Sequence, residues 1–226
     1  MNKYINEVVN QRIERAKSAL EKNNMTVYRV STPEEARAQV KALLSEGNTI
    51  GVGGSETLNE CDILSLVRSP EYRFIDRYET GLSKAQVRAR HVEALGADVY
   101  ITGSNAVTED GLLYNVDGNG NRVAAIAFGP ESVIVVVGYN KIVGNLDEAV
   151  IRVKNNAAPA NCKRLSCSTY CAETGHCASL ASNATATAIG TGCHVDYRIC
   201  CDFLISGFQR NKGRIKVIIV DQPLGF

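Results

Sequence analysis

The sequence predicts an α/β fold: a doubly wound, mainly parallel sheet with flanking helices, plus a Cys-rich loop segment toward its C-terminal end. Three observations carry this. Short apolar runs rich in β-branched residues alternate with stretches of helical periodicity, as strand–crossover–strand units do. Residues 133–137 (VIVVV) are apolar without polar alternation, as a strand covered on both faces is. The polar residues of 98–144 gather into the gaps between strands, where rigid scaffolds present binding groups.

In order, Ile5, Val8, Val9, Ile13, Ala16 and Leu20 recur at helical spacing, which predicts an amphipathic helix over 3–23 ended by Asn23-Asn24. Residues 27–30 read as a strand. Thr32-Pro33-Glu34-Glu35 then starts a helix whose apolar face is Ala36, Val40, Leu43 and Leu44, with Gly47 as its stop. Thr49–Val52 is a strand that runs into Gly53-Gly54-Ser55-Glu56-Thr57, and 56–67 resumes as a helix. Further strands are expected at 72–75, 99–102, 123–128, 133–137 and 215–220, with helices at 83–95 and after Leu146. The expected organisation is one domain over 1–226, with the Cys-rich segment 160–201 inserted before the last strand and a linker near 155–161.

Length, at 226 residues, suffices for a full core, and 45% hydrophobic with 22% charged residues is the balance of an ordinary soluble protein. A net charge of +1 argues against nucleic acid as a partner. No apolar run is long enough to span a bilayer, and the polar first 20 residues do not read as a signal peptide, so a cytoplasmic location without membrane contact is expected. Thiols stay reduced there, so the eight Cys read as free thiols or metal ligands, and the glycosylation pattern Asn183-Ala184-Thr185 carries no meaning.

Three constellations carry chemistry. The first is the strand–turn–helix passage at 53–57, where Gly53 and Gly54 let a ligand approach the backbone and Ser55 and Thr57 add hydroxyls to amides that suit a phosphate or carboxylate. An ordinary helix cap by Ser55 or Thr57 is an equal reading. The second spans Glu109-Asp110-Gly111 and Asp117-Gly118-Asn119-Gly120-Asn121-Arg122. Glu109 is a candidate acid, base or nucleophile, with Asp110 beside it as a ligand contact. Arg122 and Lys141 supply charge for an anion, and Lys141 is also a candidate catalytic group. Asn119 and Asn121 are ligand candidates, although for Asp117 and Asn119 an Asn/Gly-rich hairpin turn is the plainer role. The third holds seven of the eight Cys: Cys171, Cys177, Cys193 and Cys200 form a candidate zinc or iron–sulfur set at Cx5C and Cx6C spacing, against reduced thiols filling apolar gaps. Residues 178–192 read as a mobile small-residue loop, Cys61 as packing, His91 as surface, and Tyr114 and Tyr139 as flanking the site.

GGSETL, the IDRY of 75–78, SNAVTEDGLLYNVDGNGNRVAAIAFGP, VIVVVGYNKIV, AAPANCKRL and RIKVIIVDQPLGF together resemble the LUD-domain family of lactate-utilisation proteins, nearly end to end. That resemblance implies a fold related to ribose-5-phosphate isomerase, glucosamine-6-phosphate deaminase and the CoA transferases, in which the glycine-rich loop binds the anionic part of the substrate. Gly53, Gly54 and Ser55 stand at that place, and Glu109-Asp110-Gly111 is similar to the Glu-Asn-Gly of the transferases. The four Cys match a family subgroup's C-terminal pattern, with Tyr170 in place of a Pro and an insert of roughly a dozen residues before Cys193. The resemblance implies a part in lactate-to-pyruvate oxidation beside iron–sulfur oxidoreductase partner subunits. Two functions follow as expectations: a protein binding a small anionic metabolite (a hydroxy or oxo acid, or a phosphate-bearing ligand), or a non-catalytic metal-binding accessory subunit. Transferase or isomerase chemistry rests on the fold analogy alone. The apolar face of the first helix would suit its own domain or a homo-oligomer.

Overall fold

A computed structural model describes residues 2–181 and 188–226; the Asn183 glycosylation pattern and the middle of the 178–192 insert lie outside the described residues. The chain runs α1 (Lys3–Lys22), β1 (Thr26–Val30), α2 (Pro33–Ala42), β2 (Thr49–Val52), α3 (Glu56–Glu60), α4 (Ile63–Val67), β3 (Arg73–Phe74), α5 (Lys84–Glu93), β4 (Val99–Thr102), β5 (Ala106–Thr108), β6 (Leu113–Asp117) and α6 (Asn121–Ala127). It continues through β7 (Ser132–Gly138), β8 (Ile142–Val143), α7 (Leu146–Arg152), a π-turn (Val153–Ala157), α8 (Ala158–Arg164), α9 (Tyr170–Thr174), α10 (Ala178–Ala181), β9 (Asp202–Ser206) and β10 (Ile215–Val220).

Six strands form one all-parallel sheet in the order β1-β10-β7-β4-β2-β3. The uniform apolarity of β7 has the predicted cause. Val133, Val135 and Val137 pack with Ile13, Ala16 and Leu20 of α1 and with Ile126 of α6, while Ile134 and Val136 pack with Val40 of α2, Leu58 of α3 and Ile63 of α4. Each such side chain contributes about 1.5–3 kcal/mol on burial, so the two covered faces dominate the stability. Thr32 caps α2 by accepting from Glu35 N, with Pro33 in its first turn, as the sequence dictates. That helix ends at Ala42, ahead of the expected stop at Gly47.

A second, smaller sheet, β8-β5-β6-β9, is mostly antiparallel and was not expected. Five further expectations need correction. Residues 123–128, read as a strand, belong to α6: three alanines favour helix, and Val123 and Ile126 bury one helical face. The 117–121 turn is therefore a strand-to-helix turn rather than a hairpin, with Gly120 left-handed and Asp117 Oδ2 accepting from the amides of Arg122 and Val123 at 2.8 and 3.2 Å. The helix expected over 56–67 is broken by left-handed Asp62. The supposed linker at 155–161 is helical and packed, and the Cys-rich segment precedes β9 as well as β10 and contains α9 and α10. Among the described residues, no helix is long and apolar enough to cross a membrane.

Candidate anion-binding cleft

Because all six strands of the large sheet are parallel, their carboxyl ends share one edge. The chain passes from β2 outward to β3 and then back across to β4 on the other side of β2, a reversal of winding outside which α/β sheets bind ligands. A cleft of about 250 Å³ opens there. Gly54 and Ser55 beyond β2, residues 103–105 beyond β4, Lys141 beyond β7 and Phe226 beyond β10 line it. The 117–122 turn, Arg77 from beyond β3, and Asn161 and Arg164 of α8 close its sides.

Ser55 makes no capping hydrogen bond with its side chain, so its hydroxyl is not spent on α3. Gly53 lies behind the lining: a Cβ there would stand 2.6 Å from Thr102 Oγ1 and 2.8 Å from Arg122 Cδ. At Gly54 a Cβ would stand 2.7 Å from Arg77 Nη2. The two glycines thus let two arginines close against the turn. Thr57 is buried and accepts from Lys141 Nζ at 2.8 Å, so it holds the lysine rather than capping the helix.

Four lining residues are cationic (Arg77, Arg122, Lys141, Arg164) and two are carboxylates (Glu56, Asp117). The Asp117 oxygens are taken by backbone amides, and Glu56 lies 3.5 Å from Arg164. Arg122, only 8% exposed, donates Nη1 to Asn115 Oδ1 at 2.6 Å and Nη2 to Asn105 Oδ1 at 2.9 Å and Val116 O at 2.6 Å. All three are neutral acceptors, so its charge is not neutralised, and burial holds its pKa below the ordinary arginine value. Lys141, 5% exposed, has no carboxylate within ion-pair distance among the described residues. Burial first, then Arg152 and Arg122, push its pKa down to about 7, against weaker opposing effects of Glu60 and Cys61. Arg77 stacks on Tyr78 and meets His91 Nε2 at 3.0 Å, yet its buried Nε has no hydrogen-bond partner among the described residues, nor has Asn115 Nδ2.

A model of the LUD domain matches residues 13–220. The chain belongs to the LUD-domain family. The family is one of lactate-utilisation-related proteins. A crystal structure of a DUF162-family protein from Deinococcus radiodurans, 19% identical, is similar over 94% of this chain and 98% of that one at a TM-score of 0.50, which bears on the fold alone. The eIF2B beta and delta subunits of Chaetomium thermophilum overlap 50% and 62% of this chain, at 15% and 20% identity, 43% and 52% coverage of those chains, and TM-scores of 0.34 and 0.32. No curated protein matches the chain.

Within this LUD domain, the candidates from the sequence divide. Ser55, Gly54, Asn119, Asn121, Arg122 and Lys141 come together at the cleft, with Gly53 and Thr57 directly behind. Glu109 and Asp110 do not. They sit in the turn between β5 and β6, which docks against α1: Arg12 Nε donates to Glu109 Oε1 at 2.7 Å, Arg15 Nε donates to Oε2, and Asn23 Nδ2 donates to Gly111 O at 2.8 Å. Asp110 accepts from the Thr108 hydroxyl. Glu109 is thus placed to anchor a helix, apart from Ser55 and Lys141. Burial pushes the Glu109 carboxyl up, but Arg15 and Arg12 outweigh it and hold it below its ordinary value.

Sequence reasoning missed Arg77, Asn161 and Arg164 as lining residues. Arg77 stood inside the IDRY motif and could have been found; the others become neighbours only through the second sheet and α8. His91 is half-buried against Arg77 rather than at the surface, and burial followed by Arg77 lowers its pKa. Cys61 is core packing, as expected, with burial first and Glu60 next raising its thiol to about 11. Tyr139 packs on the core, while Tyr114 is fully buried and lines the thiol cavity.

That cavity, about 20 Å³, is lined by all four predicted ligands, Cys171, Cys177, Cys193 and Cys200. As placed they share the cavity without meeting as ligands: among the described residues, no group of three or more His, Cys, Asp or Glu is arranged to hold a metal ion. Burial raises the Cys193 and Cys200 pKa values, partly offset by Arg198, whose Nε lies 3.3 Å from Cys200 Sγ.

Proposed function

We propose that this LUD-domain protein binds a small monoanionic or dianionic metabolite, a hydroxy or oxo acid, in the cleft beyond β2 and β4, and serves lactate-to-pyruvate oxidation. One observation carries the reading. Four cationic side chains converge on a cleft whose lining, among the described residues, includes only two carboxylate side chains, both engaged. A carboxylate ligand would offset the uncompensated buried charge, which is otherwise a cost to the fold. Ser55 and Asn105 add neutral contacts that fix orientation. Glu109 has no part in this reading, and iron–sulfur partner subunits would take up the electrons.

Calorimetry and thermal shift with lactate, pyruvate, sugar phosphates and CoA test it. Pyruvate or lactate should raise Tm by mass action, and Arg122→Gln should weaken binding at least about tenfold. Stabilisation by sugar phosphates or CoA, with silence toward lactate and pyruvate, would move the assignment to transferase or isomerase chemistry.

A second reading, a metal-holding accessory subunit, is supported by the convergence of four thiols on one cavity. At about 20 Å³ that cavity has room for roughly one water-sized body. Its size suits a single ion such as zinc better than an iron–sulfur cluster.

A further inference from the structure

Lys141 is an unusual group for a site whose ligand is an anion. An anion clamp needs a lysine that is charged and reaches outward; this one is buried beside two other cations. Its Nζ is held from one side by Thr57 Oγ1 at 2.8 Å. From the other it is covered by the segment after β10: Leu224 N donates to Asn140 Oδ1 at 3.0 Å and Gly225 N to Glu60 Oε2 at 2.7 Å, and a Cβ at Gly225 would stand 3.2 Å from Nζ. The amine is therefore held in place on a residue that lines the same cleft as Arg77 and Arg122.

We propose that Lys141 is an imine-forming nucleophile whose ε-amine condenses with the carbonyl carbon of a 2-oxo acid held in this cleft. The inference rests on the anion-binding reading and names its substrate class. The free amine adds to the carbonyl carbon, forming the C–N bond and a carbinolamine. The carbonyl oxygen then leaves as water, and amine, oxo acid and one proton become a protonated imine and water, with no oxidant or reductant required. Arg77 and Arg122 orient the ligand through its carboxylate. The Thr57 hydroxyl, one hydrogen bond from Nζ, holds the amine in place.

The electrostatics agree with this geometry. Desolvation and cationic neighbours are the arrangement that makes a lysine nucleophilic near neutrality. The groups facing Nζ are Arg152 and Arg122, which disfavour its protonation, and Glu60 and Cys61, which oppose them weakly. At pH 7 an amine titrating at about 7 is roughly half free, whereas an ordinary lysine is free at about one part in 3,000.

The test uses the whole protein with pyruvate and borohydride, peptide mass mapping, and calorimetry on the same sample. The expected result is one reduced adduct per chain, on Lys141, on the order of 100-fold above any other lysine, suppressed by excess lactate and absent from Lys141→Arg. If pyruvate binds but labelling is absent or scattered over surface lysines, the imine is overturned and anion binding stands. If neither pyruvate nor lactate binds, both fall together.

Discussion

Burying Lys141 without a carboxylate burdens the folded state, and the burden has a definite pH window. The unfolded chain holds that proton up to near 10.5, while folded Lys141 releases it near 7. Between those values the unfolded state binds more protons, so this group makes stability rise with pH across the window; below about 7 both forms are charged and the full cost remains. Lys141→Met should therefore be more stable than the parent by roughly a few kcal/mol below pH 7, with the advantage shrinking toward pH 10.5. Urea unfolding at several pH values measures it, and a gain that ignores pH would mean the amine is not desolvated. Sequence showed Lys141 as a candidate but not its burial. Its burial arises from Thr57 and residues 224–225, remote in the chain, while Arg152 adds a neighbouring cation.

Among elements, α1 owes its docking to more than its apolar stripe. Ile13, Ala16 and Leu20 enter the core, while Ile5 and Val8 stay exposed, so only the later turns are buried. The Glu109 carboxylate then ties Arg12 and Arg15 to the β5–β6 turn. Both arginines are more than a third exposed, so solvent screening limits the pair, and Glu109→Gln should cost only about 1 kcal/mol at neutral pH. Because the folded carboxyl titrates below its ordinary value of 4.5, this contribution is present above that value and lost as acid protonates the folded group. Denaturation curves of variant and parent should converge in acid, while pyruvate affinity at pH 7 stays unchanged; a large fall in affinity would restore Glu109 to the ligand site. The Glu-Asp-Gly resemblance to a transferase motif pointed the other way because a short motif does not say which face of a turn is occupied. The mistaken strand at 123–128 has a related cause. Val123 and Ile126 fit either period in so short a run, and only Asp117 capping the amides of Arg122 and Val123 decides for helix.

Across the whole molecule, the cleft and the thiol cavity are joined through the 117–118 turn. Cys201 N donates to Asp117 O at 2.9 Å, and Gly118 lies so close to Ile199 that a Cβ would stand 3.1 Å from its Cα. Zinc bound at the thiols should raise Tm with the logarithm of its concentration above Kd, release protons from thiols whose pKa values burial has raised, and be lost in Cys171→Ser. Equal metal content in that variant, measured by atomic emission, would end the accessory-subunit reading. The alternation of strand and helix, the doubly covered β7 and the family motifs were legible in the sequence, since period and burial are local properties of the chain. Tertiary structure alone decided the second sheet, the placement of Glu109 away from the cleft and the arrival of Arg77, Asn161 and Arg164 in its lining. Each depends on which surfaces of distant segments meet, and a side chain's charge state follows from those meetings rather than from its neighbours in sequence.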